Sequence, residues 1–297
     1  MSEYKDFTEF NKVWTWTEDG FEPVHLDLLV AGDTDSSMFS LEKHFDDRAN
    51  VDDVCQYADS IAKGVNDSFP EFVKRAFNCP DDRKHTVQTD REIVSDKSLF
   101  LTKKRYIMHV VDKEGKRVDE KKIMGVELKK SDTSEAAKQI LTDLVDWILD
   151  GVPSDEIRQR IKKIRTSFAD RPLQNIARPI SVKGLRKYEE ELHTTGSMKG
   201  FPYQVRAAMY YNSLCSPSDE KIKPTDKIGV LNIKHPEYKN IAFPIDLDEL
   251  PAFMYTVVYD YDLMYQKTFT KIENYLSSLG WDIKGMKDQK KKELFGF

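Results

Sequence analysis

The sequence predicts an α+β chain, with antiparallel strands and one helix in its first part and a mainly helical second part. Three observations carry that expectation. The mostly apolar residues 24–30 run into the turn formers Ala31-Gly32-Asp33-Thr34-Asp35-Ser36, and a second short run, residues 37–41, returns as the other arm of a hairpin. Residues 99–111 and 117–128 flank Asp112-Lys113-Glu114-Gly115-Lys116, a hairpin turn by composition. From Ser131 onward the apolar period changes from two to between three and four.

Each element has its own warrant. Val51, Val54, Tyr57, Ala58, Ile61, Ala62 and Val65 form one stripe of a helix over residues 51–76, which Pro70 should break or restart. Residues 85–93 read as a short strand. Ser131-Asp132-Thr133-Ser134 offers N-caps for a helix through Ile140, Leu141, Leu144, Val145, Ile148 and Leu149, which Gly151 and Pro153 stop. Ser154 starts another helix, with Ile157, Ile161, Ile164 and Phe168 on one face and Arg158, Arg160, Lys162, Lys163 and Arg165 around the rest. Residues 171–250 read as loop-rich, and residues 250–280 as helical again through Tyr255, Val258, Tyr261 and Tyr265. The domain division is expected near residue 130, giving parts 1–130 and 131–288 and a tail 289–297.

Composition narrows the function classes. Of the 297 residues, 39% are hydrophobic and 33% charged, enough for a real core in a charge-rich soluble chain. No apolar run approaches ~18 residues, and the polar start Met1-Ser2-Glu3-Tyr4-Lys5-Asp6 is no leader, so a cytoplasmic protein without membrane contact is expected. Cys55, Cys79 and Cys215 are too widely spaced for a metal knuckle or a disulfide framework. The net charge of −5 hides an asymmetry: residues 1–97 hold 11 basic and 22 acidic side chains, residues 98–297 hold 35 and 29. An acidic, metal-binding part beside a part that faces phosphates would give this pattern, and so would charge scattered over a solvated surface.

Asp33-Thr34-Asp35 is the sharpest local signal. Two carboxylates one residue apart on extended backbone point the same way and repel unless a cation lies by them. Such hard oxygen donors suit Mg²⁺ or Mn²⁺ and the phosphoryl-transfer chemistry that these ions support. Taken alone, the motif reads first as a solvated acidic turn, with the metal site of a nucleotide-sugar glycosyltransferase as a rival.

The wider context resembles one family. Ala31-Gly32-Asp33-Thr34-Asp35-Ser36-Ser37 after an apolar strand resembles the Gly-Asp-Thr-Asp-Ser motif of family B DNA polymerases, Lys103-Lys104-Arg105-Tyr106 resembles their Lys-Lys-Arg-Tyr element, and Lys122-Ile123-Met124-Gly125-Val126-Glu127 resembles the segment closing their palm. Asp90-Arg91-Glu92, the segment from His235-Pro236 to Phe243-Pro244 and the end Glu293-Leu294-Phe295-Gly296-Phe297 are similar to elements of the T-even-type phage polymerases, in the same order. The resemblance implies a partial palm in residues 1–130, a helical thumb in 131–288 and a clamp-binding tail. It implies that Asp35 ligates catalytic metal with Asp33 beside it, that Glu92 is a palm carboxylate near the metals, and that two Mg²⁺ ions are shared with a partner fragment. It implies DNA contacts by Lys103, Lys104, Arg105, Tyr106 and Lys122; Lys129, Lys130 and Arg206 are candidate phosphate contacts. Leu294, Phe295 and Phe297 would anchor a sliding clamp.

Two departures accompany the matches. Ala31 stands where many members have Tyr, and the connection from Glu92 to Lys103 lacks a Gly-rich stretch. The exonuclease, the first palm motif and the fingers of a complete family member have no counterpart in this sequence, so the expectation is the C-terminal subunit of a split DNA-directed DNA polymerase. An N-terminal polymerase fragment, primer-template DNA, dNTP and the sliding clamp are its expected partners. The alternatives are a non-catalytic module that grips DNA and clamp and, more remotely, the glycosyltransferase.

Overall fold

A computed structural model of the protein describes residues 12–17, 20–25, 29–32, 36–41, 44–45, 49–102, 104–126, 128 and 130–281. The chain is α+β, and it divides between Met124 and Gly125 into two compact units.

Antiparallel hairpins make most of the first unit. Strands β1 (Lys12–Thr17) and β2 (Gly20–His25) pair from Lys12↔His25 to Thr17↔Gly20. Strands β3 (Leu29–Gly32) and β4 (Ser37–Phe39) pair through Ala31↔Met38 and Gly32↔Ser37. The single strand expected over residues 24–30 is thus divided: Val24 and His25 belong to one hairpin, Leu29 and Val30 to the next. Helix α1 (Val51–Phe77) starts on Asn50, whose side-chain oxygen accepts from the Asp52 amide at 3.0 Å, and ends at Asn78 in the left-handed region, φ 49°. Asp52 and Asp53 in its first turn and Lys74 and Arg75 in its last suit the helix dipole. Pro70 does not break it. A proline removes one backbone bond, but side chains on both sides of it stay tied down: Val73 is buried, and Asn66 exchanges two hydrogen bonds with the Thr89 backbone, at 2.7 and 2.8 Å.

Residues 85–92 form no strand, contrary to the sequence reading. Three strands follow: β5 (Ile93–Thr102), β6 (Arg105–Lys113) and β7 (Lys116–Met124), in the order β5-β6-β7. The turn at Glu114-Gly115 is the expected one, with φ of 50° and 80° as a two-residue hairpin loop of the tight mirror-image type requires. The expected strand over 99–111 is divided between β5 and β6, since Thr102 pairs with Arg105.

In the second unit, α2 (Glu135–Leu149) takes Ser134 as its N-cap and α3 (Ser154–Ser167) buries Ile157 and Ile161, as the spacing predicts. A single 3₁₀ turn, Phe168–Asp170, leads to the short α4 (Leu173–Ile176). Residues 171–250 are more ordered than composition suggests. They hold β8 (Arg178–Ser181), α5 (Leu185–Thr195), α6 (Tyr203–Leu214), β9 (Lys227–Asn232) and β10 (Asn240–Pro244). The strands form an antiparallel sheet in the order β10-β9-β8, covered by α6. The last helix, α7 (Tyr261–Ser278), begins later than expected, at an Asp260 cap that accepts from the Leu263 amide. Tyr255 and Val258 lie before it and are 68% and 63% exposed. Ile140, Leu144, Phe168, Tyr211, Phe243 and Tyr275 are fully buried in this unit. Among the described residues no helix is long and apolar enough to cross a membrane.

Candidate nucleic-acid interface

The site grows from β6, the central strand of the first unit's larger sheet. Alternation puts Tyr106, Met108 and Val110 on one face, where they form a buried cluster. Ile93 and Phe100 of β5, Val118 of β7 and Met38 of β4 pack against it. Met38 therefore fixes the β3–β4 hairpin to the sheet. Asp33 and Asp35 fall between these two paired strands but lie outside the described residues, as does Lys103. Among the described residues no three His, Cys, Asp or Glu side chains converge to hold a metal ion. The chemistry of the donor pair, two hard carboxylates one residue apart, fits Mg²⁺.

The basic element sits on the β5–β6 turn. Lys104 is exposed with φ 62°, and Arg105 opens β6, paired with Thr102. Tyr106 is only 8% exposed and lies 5.7 Å from the Phe100 ring. Tyr106 holds the strand, and Lys104 is exposed beside it.

Glu92 stands just before β5. Its carbonyl accepts from the Glu114 amide at 2.8 Å, which sets it beside the β6–β7 turn. The basic turn is at the other end of β5, a ten-residue strand of roughly 30 Å. The Glu92 carboxylate receives the Lys122 ammonium at 2.8 Å, so Lys122 is a paired cation and not a free one.

Sequence reasoning missed the charge network that ties α1 to this sheet. Asp112, 3% exposed, accepts from Arg91, from Arg117 at 3.0 Å and from the Gly115 amide at 3.1 Å. Arg91 also reaches Asp59 at 2.6 Å, and Arg117 reaches Asp52, both on α1. Burial pushes the Asp112 carboxyl up, but Arg91, the Gly115 amide and Arg117 outweigh it and hold it below the usual carboxylate range. Across the same sheet, the two His109 ring nitrogens meet Asp119 at 2.7 Å and Asp96 at 2.6 Å, one on each neighbouring strand. Those carboxylates raise the imidazole pKa, Asp119 most.

In the second unit Lys130 is exposed, and its carbonyl accepts from the Thr133 amide at 3.2 Å. Arg206 is exposed on α6, with no carboxylate partner among the described residues. Lys129, Leu294, Phe295 and Phe297 lie outside the described residues. His235 is structural: its Nδ1 accepts the Glu237 and Tyr238 amides, and Tyr238 stacks on Tyr210 at 4.0 Å. Tyr211 and Tyr265 are core residues. Trp14 and Trp16 fall on β1, and their side chains lie outside the described residues.

The fold and the site define an α+β chain whose first unit presents a basic hairpin turn on a braced sheet. No family model matches the chain. It is similar to the DNA-directed DNA polymerase of Escherichia phage RB69, with 26% identity over 296 residues, 90% of this chain and 31% of that protein. The chain thus spans about a third of the length of the curated relative it matches.

Proposed function

We propose that the chain is the C-terminal subunit of a split family B DNA polymerase of the T-even type, acting with an N-terminal polymerase polypeptide. One observation carries the reading: the similarity to a phage DNA-directed DNA polymerase extends over 90% of the chain. The packing of Met38, on the strand that follows the acidic motif in sequence, against the sheet that bears Lys104 and Arg105 supports it.

In this reading Asp33 and Asp35 hold divalent metal together with carboxylates of the partner polypeptide. The ions, when bound, activate the primer 3′-hydroxyl and neutralise charge on the triphosphate. Lys104 and Arg105 draw in the duplex backbone by Coulomb attraction, a sequence-independent and salt-sensitive grip. Tyr106 keeps these cations at a fixed height by anchoring the first turn of the ladder in the core. Lys122, neutralised by Glu92, stabilises the sheet; Lys130 and Arg206 add phosphate contacts from the second unit. Leu294, Phe295 and Phe297 tether the enzyme to a sliding clamp, and dNTP enters a pocket made chiefly by the partner.

The test is primer extension by the two polypeptides mixed, with Mg²⁺. The expected result is extension only in the mixture, lowered about a thousandfold by Asp35→Ala. Extension by this chain unaided would overturn the split assignment. Undiminished extension by the Asp35→Ala mixture would overturn the catalytic one.

A further inference from the structure

The second unit contains an open groove of about 640 Å³ that the catalytic reading does not use. Its walls come from the segment after α3 and the segment before α7, and include Arg171, Pro172, Gln174, Tyr255, Val258 and Tyr261. A volume in the ~300–1,000 Å³ range of ligand sites leaves room for a base and its sugar. Arg171 is the one charged residue in the lining, and its guanidinium has no carboxylate partner among the described residues.

The exposed apolar groups here are held in place. The Val258 carbonyl accepts from the Lys234 amide at 2.8 Å, Tyr259 bridges Ile233, and the Asp260 amide donates to Asn232 at 2.9 Å. On the other side, Met254 is fully buried, and its carbonyl takes the Tyr259 hydroxyl. Tyr255 and Val258 therefore present 68% and 63% of their surface from a backbone pinned at both ends. A ring left in water on stiff backbone, as Tyr255 is, forms a preorganised stacking platform.

Charges of both signs stand near the platform: Asp170 directly precedes Arg171, and Glu156 pairs with Arg160 at 2.6 Å, yet cations outnumber carboxylates on α3. α3 carries Arg158, Arg160, Lys162, Lys163 and Arg165 and runs through the 3₁₀ turn into Arg171. Lys162 and Lys163 are exposed without an ion partner among the described residues. Arg165 lies over the Tyr265 ring at 5.7 Å, one helical turn along α7 from Tyr261.

We infer that this groove binds single-stranded nucleic acid, stacking a base on Tyr255 and taking a backbone phosphate on Arg171. An exposed ring beside a cation is what a single strand needs, because every base has a π-face and every linkage a charge. A duplex, with its bases already stacked, cannot use the tyrosine. The site belongs wholly to the second unit and is independent of the metal-binding role proposed for Asp33 and Asp35.

The experiment is fluorescence anisotropy of the full chain with a labelled oligothymidylate and, separately, a labelled duplex. Tyr255→Ala should weaken oligothymidylate binding about 5- to 100-fold, and Tyr255→Phe should restore it. Arg171→Ala should weaken it and flatten its salt dependence. Duplex affinity should stay the same in all three, and unchanged thermal melting shows that they are folded. Three results would each overturn the inference: oligothymidylate failing to bind, as it would if the groove takes a peptide; Tyr255→Ala binding like the parent; or equal losses for single strand and duplex. Primer extension by the Asp35→Ala mixture does not bear on any of these readings, so the two proposals fail separately.

Discussion

Gly229 shows how tightly the second unit is built, and a single methyl group tests it. The residue sits in β9, the middle strand of the sheet, facing Phe243 on β10 and Ala177 just before β8. A Cβ added there would lie 2.6 Å from Phe243 Cζ and 3.0 Å from the Ala177 Cβ. Carbon atoms rest at about 3.5–4.0 Å, so the ring would have to retreat by about 1 Å. Phe243 is fully buried, in an interior where side chains are close-packed. Overpacking of this kind costs about 1–3 kcal/mol, offset in part by the ~0.5–1 kcal/mol that losing a glycine contributes through the unfolded chain. Gly229→Ala should therefore destabilise by about 1–2 kcal/mol, a fall in Tm of roughly 2–8 °C. Urea titration followed by circular dichroism measures it. Pairing the change with Phe243→Leu, which removes the obstructing ring edge, should yield a double variant less damaged than the sum of the two single ones by about 1 kcal/mol. Strictly additive losses, or a Gly229→Ala protein as stable as the parent, would refute the packing argument.

Two further outcomes follow from the first unit. Asp112→Asn should cost about 2–3 kcal/mol in urea titration, because it leaves Arg91 and Arg117 facing a neutral group; the exposure of Arg117 keeps the loss below that of a fully buried pair. The His109 clasp makes stability depend on pH. Its folded pKa lies above an unfolded value near ~6.5, so its contribution is complete below about pH 6.5 and is lost as pH rises through the folded value. With Asp119 93% exposed the effect is under ~1 kcal/mol, and it should vanish in His109→Gln, seen as a flat urea midpoint across that window.

Much of the architecture is legible in the chain, for identifiable reasons. Ser134 before α2, Gly151 and Pro153 after it, and the isoleucine period of α3 are local signals, and local signals suffice for helices. Glu114-Gly115 announces its turn because that turn needs positive φ. The other hairpin has no such mark. Its turn includes Lys104, inside an apolar period that continues across it, so residues 99–111 read as one strand. Residues 85–92 look extended and find part of their pairing in an asparagine: the Asn66 amide gives Thr89 the two bonds a neighbouring strand would give. The small sheet of the second unit is hidden because β8 is Arg-Pro-Ile-Ser and its strands are far apart in sequence. Asp112 looked like a turn former and is a buried anchor. Only three-dimensional proximity to Arg91 and Arg117 could have revealed that. The acidic pair that dominates the functional reading comes entirely from the motif, as residues 33–35 lie outside the described residues.

Lys104 has a consequence of its own. With φ at 62°, its backbone is in a conformation where glycine or asparagine would rest more easily by ~1 kcal/mol. Backbone preference alone would never place a long cation there. Because the flanking Thr102 and Arg105 are laddered to each other, the ammonium's origin cannot wander without opening the hairpin. The turn is in this respect a mount and not a hinge: it trades some ease of folding for a charge with a fixed address.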